Sequence, residues 1–170
     1  HRGWLWVGHI TGIDVYQPEN GRFVAAESLG FSIPKSSYGG YILTDLPNGN
    51  ICALTNNAPS KAFFFHPADA TGKGRLDSLQ LADTAPNQGG KPSYFTNLFL
   101  SKNETLYVGT DAGLYRIEHT AKPYKLNEVA LSGIKVQLLG EDDTGRIWVQ
   151  TNEGLRAIEK GSLLPQKIPI

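Results

Sequence analysis

The sequence predicts an all-β chain of repeated β-propeller blades, about four in number, each a small four-stranded antiparallel sheet. Three observations predict it. A short motif recurs along the chain, its apolar residues alternate with period 2, and glycine- or asparagine-bearing turns separate the apolar runs.

The clearest copies are Gly3-Trp4-Leu5-Trp6-Val7-Gly8-His9, Leu106-Tyr107-Val108-Gly109-Thr110 and Gly145-Arg146-Ile147-Trp148-Val149-Gln150-Thr151. Aligned on Trp6, Tyr107 and Trp148, they place Gly12, Gly113 and Gly154 in one column, Ile13, Leu114 and Leu155 in the next, and Tyr16, Ile117 and Ile158 in a third. A degenerate fourth copy runs from Asn48 to Thr55, with Cys52 in the aromatic position. Its following strand, Ala62-Phe63-Phe64-Phe65, comes about three residues late, which reads as an insertion. The anchors lie 46 residues apart from Trp6 to Cys52, 55 from Cys52 to Tyr107 and 41 from Tyr107 to Trp148. These spacings lie in or near the blade length of about 40 to 50 residues. Helical repeats of this length would need a 3.6-residue apolar period, which is absent.

Within each motif, Leu5 and Val7, or Ile147 and Val149, share one face while Trp6 or Trp148 takes the other. Both faces are expected to be covered, as in a blade held between neighbouring blades. A strand precedes each motif, at Tyr41–Leu43, Tyr94–Leu100 and Ile134–Leu139. The turns between read Pro47-Asn48-Gly49-Asn50, Lys102-Asn103-Glu104-Thr105 and Asp142-Asp143-Thr144-Gly145, residues that supply positive φ or cap turn amides. Between Thr71 and Lys91 the leucines Leu76, Leu79 and Leu81 fit a short helix and a strand almost equally; the stretch is read as an inter-blade connection with an embellished loop.

At 170 residues the chain has the length of one domain and can bury a substantial core. Nineteen glycines and ten prolines, roughly 17% of the chain against a usual sum near 12%, favour many short strands. Lysine plus arginine equal aspartate plus glutamate at 16 each, so no net field draws the chain to nucleic acid or an anionic membrane. No stretch approaches the roughly 18 apolar residues of a membrane span, and no membrane contact is expected of this segment. The single cysteine, Cys52, excludes an internal disulfide and reads as a small buried hydrophobe. The chain opens without methionine and inside a repeat unit, which suggests a processed or excised segment.

The pattern of an Asp-x-x-Gly-type turn, then Leu/Ile-Trp/Tyr-Val-Gly-Thr, then x-x-Gly-Leu and a further strand, resembles the two-component regulator propeller repeat. It is clearest at Leu106 to Ile117 and Ile147 to Ile158, and departs where His9 replaces threonine and Gln150 replaces glycine. Such repeats build the periplasmic sensor regions of hybrid two-component system histidine kinases of Bacteroidetes type. The resemblance implies a periplasmic, extracytoplasmic part of an inner-membrane protein that senses oligosaccharides or related nutrients, with a histidine kinase module elsewhere in the full-length protein, which is expected to be a homodimer. Sensors of this kind carry more than four blades. Four blades alone would expose strand edges and apolar faces, so the segment is expected to form part of a larger propeller, completed by further blades from the same or another chain. A stable monomer of 18.5 kDa would contradict that expectation.

Catalytic chemistry finds little support. His1, His9, His66 and His119 show no ligand spacing, and no metal or cofactor is implied. Thr71-Gly72-Lys73-Gly74 lacks the flanking residues of a phosphate loop, and Ser37-Tyr38-Gly39 lacks the leading glycine of a nucleophile elbow. Glu141-Asp142-Asp143 is acidic, but neighbours on a turn seldom converge as a glycosidase pair must. Asp143 to Trp148 is similar to the Asp-box turn of sialidase-type propellers, which is itself structural. Asn103-Glu104-Thr105 is a formal glycosylation sequon that reads as a turn.

The expected role is therefore recognition rather than catalysis. Sugars stack on aromatic rings and collect in loops on one face of a rigid scaffold. Trp4, Tyr38, Tyr41 and Tyr94, at turns or strand starts, are the candidate ligand-binding residues. Trp6, Gly8, Gly12, Tyr107, Gly109, Gly113, Trp148 and Gly154 are expected to be structural elements of the repeat. The competing readings are a non-catalytic protein-interaction scaffold and, less favoured, a propeller glycosidase or lyase.

Overall fold

The computed structural model describes residues 3–31, 33, 40–55, 60–66, 74–81, 92–159 and 166–167. They fold into fifteen strands and one 3₁₀ turn, Ala26–Leu29. Every strand pair is antiparallel and joins strands adjacent in sequence, giving four separate up-and-down sheets. The all-β, blade-type fold class predicted by the period-2 pattern is the one observed.

Sheet A holds β1 (Leu5–His9), β2 (Gly12–Gln17) and β3 (Arg22–Ala25). Sheet B holds β4 (Tyr41–Asp45), β5 (Ile51–Thr55), β6 (Lys61–His66) and β7 (Arg75–Gln80). Sheet C holds β8 (Phe95–Leu100), β9 (Leu106–Thr110), β10 (Gly113–Glu118) and β11 (Lys125–Ala130). Sheet D holds β12 (Val136–Glu141), β13 (Ile147–Thr151), β14 (Gly154–Ile158) and β15 (Gln166–Lys167). The anchors Trp6, Cys52, Tyr107 and Trp148 lie on β1, β5, β9 and β13, and Gly12, Gly113 and Gly154 each open the strand that follows. The stretch that fits helix and strand alike resolves into β7 between Arg75 and Gln80, so this part of the expected connection is instead the fourth strand of sheet B. Residues 71–73 and 82–91 lie outside the described residues.

The chain divides into two compact units, residues 1–57 with 61–78, and residues 58–60 with 79–170. In the first, Ile13, Val15, Ala26, Phe31, Ile33, Tyr41, Ile51, Ala53, Phe63 and Phe65 make one buried cluster. Trp6, Phe31 and Phe65 meet there as an aromatic trio, with ring centroids 5.2 to 5.9 Å apart. Tilted and edge-on contacts of this kind suit the ring quadrupole. In the second unit Leu114 of sheet C packs with Val136, Leu139, Ile147 and Val149 of sheet D, and Phe99 and Tyr107 border the cluster. Burial raises the pKa of the Tyr107 phenol; Arg116 opposes that shift and Glu141 adds to it.

Two of the repeat's signature positions have a direct physical reason. A Cβ on Gly8 would stand 2.6 Å from the Tyr41 carbonyl oxygen of β4, and one on Gly109 would stand 2.8 Å from Val136 Cγ1 of β12. The glycine column thus marks where the second strand of one sheet passes the first strand of the next. The threonine column ties the corner between second and third strands. Thr110 Oγ1 accepts the Ala112 N–H (3.0 Å) and donates to the Gly113 carbonyl (2.9 Å); Thr151 repeats this with Glu153 (3.1 Å) and Gly154 (2.8 Å). His9 takes the position in sheet A, where its Nδ1 lies 3.0 Å from Thr11 Oγ1. Thr55 keeps the bond across the inserted residues, accepting the Lys61 N–H at 3.1 Å. Register confirms the insertion: Leu114 pairs with Gly109, whereas Ala62 pairs with Leu54, three residues further along.

The predicted turns between first and second strands form as hairpins, and one residue of each takes positive φ: Gly49 (77°), Glu104 (64°) and Gly145 (81°). Only the third copy lacks glycine there. Left-handed backbone costs a residue with a Cβ about 1 kcal/mol or more, so Glu104→Gly is expected to raise stability by about 1 kcal/mol. Its urea midpoint at unchanged m-value checks this; a lower midpoint would contradict the turn geometry.

In the last copy Asp142 organises the turn. Its carboxylate accepts the Thr144 N–H (2.9 Å) and hydroxyl (2.6 Å), the Arg146 N–H (3.1 Å) and the Trp148 indole N–H (2.9 Å). The Thr144 side chain, and then the Trp148 indole, hold the carboxyl well below the usual aspartate range. A depressed folded pKa contributes stability that is present above the unfolded value near 3.8 and is lost as pH falls from there through the folded value. Asp142→Asn is therefore expected to lower stability at neutral pH and to flatten its decline below about pH 5. Chemical unfolding at several pH values tests it; parallel declines in both proteins would contradict the assignment.

Candidate ligand-binding surface

The four candidate aromatics separate once the strands are in register. Tyr41, Phe95 and Val136 pair with Thr55, Thr110 and Thr151 respectively, and so share one repeat column. All three are buried, and Tyr41, 8% exposed, belongs to the core of the first unit. This corrects the expectation of an open ring at a strand start. Trp4 is half-buried against the same core, and its indole N–H donates to Glu19 Oε1 at 2.9 Å. Tyr38 lies outside the described residues.

Tyr94 falls one residue earlier than that column, where the neighbouring copies carry Gly40 and Lys135. It is half-buried, and the Lys135 ammonium stands 5.6 Å from its ring centroid. The backbone around it is fixed by Asp111, from the corner between β9 and β10. That carboxylate accepts N–H bonds from Ser93 (2.9 Å) and Tyr94 (3.3 Å), and a short bond from the Ser93 hydroxyl. Phe95 N–H donates to Ser60 Oγ at 3.2 Å, and the Thr96 hydroxyl bonds to the Val136 carbonyl. The result is a held aromatic ring with a cation beside it, at the entry of two successive first strands. An aromatic face and a donor of positive charge can together hold a sugar ring and an oxygen substituent. Sequence reasoning missed Lys135 and Asp111; alignment of the first-strand columns would have paired Lys135 with Tyr94.

The remaining charged groups serve the scaffold. Glu141 Oε2 accepts the Lys102 N–H at 2.6 Å, Asp142 turns into its own hairpin, and Asp143 meets Lys102 Nζ at 3.3 Å. Each of the three carboxylates thus has a partner of its own in the scaffold. A histidine, a carboxylate and a guanidinium do converge on sheet B, where Asp77 Oδ2 lies 2.9 Å from His66 Nε2 and 3.2 Å from Arg75 Nε. They join two adjacent strands. Among the described residues no group of three or more His, Cys, Asp or Glu side chains could hold a metal ion, and no helix is long and apolar enough to cross a membrane. Trp148 keeps its scaffold position, with the Arg146 guanidinium 5.7 Å from its ring.

Comparison with known proteins bears on this surface through the fold. No family model matches the chain, and no curated protein matches it. Solved structures do. The chain is similar to PorZ, described as an essential bacterial surface component of the type-IX secretion system of Porphyromonas gingivalis, with 17% identity and a TM-score of 0.69 over 98% of this chain and 26% of that one. It is similar to the extracellular domain of BT4673 of B. thetaiotaomicron, named as a hybrid two component system, with 16% identity and a TM-score of 0.71 over 99% of this chain and 21% of that one. A protein named as a gluconolactonase matches at 13% identity and a TM-score of 0.59, over 91% of this chain and 56% of that one. The chain thus spans about a fifth to a quarter of the first two structures, and what it shares with all three is the fold of stacked antiparallel sheets.

Proposed function

We propose that this chain is a non-catalytic, ligand-recognising propeller segment on the periplasmic side of an inner-membrane two-component sensor, and that its signal is an oligosaccharide or related nutrient. The observation that carries the reading is the likeness to the BT4673 extracellular domain over 99% of the chain. The fixed Tyr94 ring with Lys135 at 5.6 Å supplies a matching recognition element. Ligand binding would act by favouring one arrangement of blades or subunits over another, and can shift that balance only by its difference in affinity for the two. Further blades, and a homodimer in the full-length protein, belong to the same reading.

The PorZ likeness favours a second reading, a propeller that serves as an interaction scaffold in a surface assembly. A panel of oligosaccharides separates the two. The sensor reading expects one member to bind, and Tyr94→Ala to weaken that binding about tenfold, about 1.4 kcal/mol, with the melting temperature unchanged. Absence of any saturable glycan binding by calorimetry would leave the scaffold. Turnover of a glycan in the same panel would overturn both in favour of a propeller glycosidase or lyase.

A further inference from the structure

In sheets C and D the entry of the first strand lies beside the corner that joins the second and third strands. In sheet C these positions are Tyr94 and Asp111, one step beyond the pair Phe95–Thr110. In sheet D they are Lys135 and Asn152, one step beyond the pair Val136–Thr151. The repeat thus sets a carboxylate at one corner and an uncharged amide at the other.

That exchange decides the local charge. The Asp111 carboxylate is fully engaged: Oδ1 accepts the Ser93 and Tyr94 N–H groups at 2.9 and 3.3 Å, and Oδ2 accepts the Ser93 hydroxyl. Glu153, next along the corner of sheet D, holds Arg156 Nη2 at 2.8 Å. Among the described residues no carboxylate lies within ion-pair distance of Lys135. Lys135 is nonetheless half-buried, its ammonium 5.6 Å from the centroid of the Tyr94 ring. A ring face offsets only part of the cost of desolvating a cation, so the ammonium keeps its capacity for an anion. Asn152 is exposed, and among the described residues nothing engages its side-chain amide. An aromatic face therefore stands beside a cation without a counter-ion and a neutral hydrogen-bond donor.

The segment that carries Lys135 is fixed in advance. Leu131, 7% exposed, holds a left-handed backbone (φ 62°). The Ile134 N–H donates to the Leu131 carbonyl at 2.9 Å, and the Gly133 N–H donates to the Ala112 carbonyl at 2.8 Å, which ties the segment to the corner of sheet C. A bulky residue persists in such a conformation only where its surroundings impose it, and residues of this kind cluster at functional sites. Ordering this segment therefore costs a ligand little.

We propose that Tyr94, Lys135 and Asn152 form a subsite for an acidic sugar, one bearing a carboxylate or a sulfate, and that Lys135 is the residue that selects the charge. The inference rests on the recognition reading above and narrows its ligand from oligosaccharides in general to anionic ones.

Calorimetric titration with uronate and sulfated oligosaccharides, each matched by its methyl-esterified or desulfated form, tests it. An acidic member is expected to bind about tenfold more tightly than its neutral form, with an affinity that falls as salt rises; which of the two sets binds identifies the anion. Lys135→Gln should lower the acidic affinity about tenfold while leaving the neutral form's binding and the melting temperature unchanged, and Lys135→Arg should retain the preference. Asn152→Asp, which gives the exposed corner of sheet D the carboxylate of sheet C, should remove the preference too. Equal binding of acidic and neutral forms by the wild type overturns the inference and leaves the recognition reading standing. A Lys135→Gln chain that loses both forms alike also overturns it, because the lysine then acts through the shape of the site. Absence of binding by every pair overturns the inference and the recognition reading together.

Discussion

Phe65→Ala is expected to cost about 3–5 kcal/mol, the range for removing a fully buried aromatic. Phe65 has no exposed surface and touches both Trp6 and Phe31, so truncation opens a cavity that a β-sheet on one side and an indole on the other cannot readily fill. Since a domain is held by about 5–15 kcal/mol in total, the loss is a large share of what keeps the chain folded. Cys52 reports it directly. The thiol is fully buried on the adjoining strand, burial pushes its pKa upward, and it is the chain's one cysteine. Labelling by a thiol reagent should be slow in the wild type and many-fold faster in Phe65→Ala. Phe23→Ala is the control: the same residue type, 59% exposed and in contact with Tyr16, should cost under about 1 kcal/mol. Equal effects at the two positions would refute the assignment of the core.

The second large effect is expected at Gly8. Adding one methyl group places it 2.6 Å from a backbone oxygen of β4, which cannot rotate aside as a side chain can. Either β1 or β4 must move, and overpacking of this kind costs about 1–3 kcal/mol, occasionally more. Gly12 occupies an equally regular column of the repeat, yet a methyl there would meet only the His9 ring at 3.6 Å, an ordinary contact. Gly8→Ala should therefore lower the denaturation midpoint markedly while Gly12→Ala leaves it within about 0.5 kcal/mol of wild type. The reverse order would show that the glycine column has another cause than the passage of neighbouring strands.

These paired comparisons show what the sequence carries and what it does not. Strand identity was legible because alternation at Leu5-Trp6-Val7 and Ile147-Trp148-Val149 has only one backbone period that satisfies it. The three-residue delay before Phe63 was legible for the same reason, since period and column both had to be restored after it. Burial was less so. Tyr41 and Tyr94 both read as aromatics at strand starts, but one residue of register separates them, and a shift of one reverses the face a side chain takes. Tyr41 shares the column of Phe95 and Val136 and goes inward; Tyr94 shares that of Gly40 and Lys135. Of the partners of Tyr94, Asp111 is not visible in the sequence because it comes from the next corner, and Lys135, from the next sheet, shows only when the first-strand columns are aligned. The Leu76–Leu81 stretch was ambiguous because three leucines at spacings of three and two satisfy a helical and an extended pattern alike; pairing into sheet B decided it.

The hydroxyl at the second-to-third corner has an evolutionary reading. Thr110 and Thr151 close a corner of minimal length, while Thr55 makes the same amide bond to a residue six positions away. An anchor that recognises the start of the returning strand, and not the number of residues before it, lets peptide be gained or lost there without re-registering the sheet. Such a corner is a natural place for a lineage of these domains to acquire new loops, and with them new specificities, on an unaltered frame.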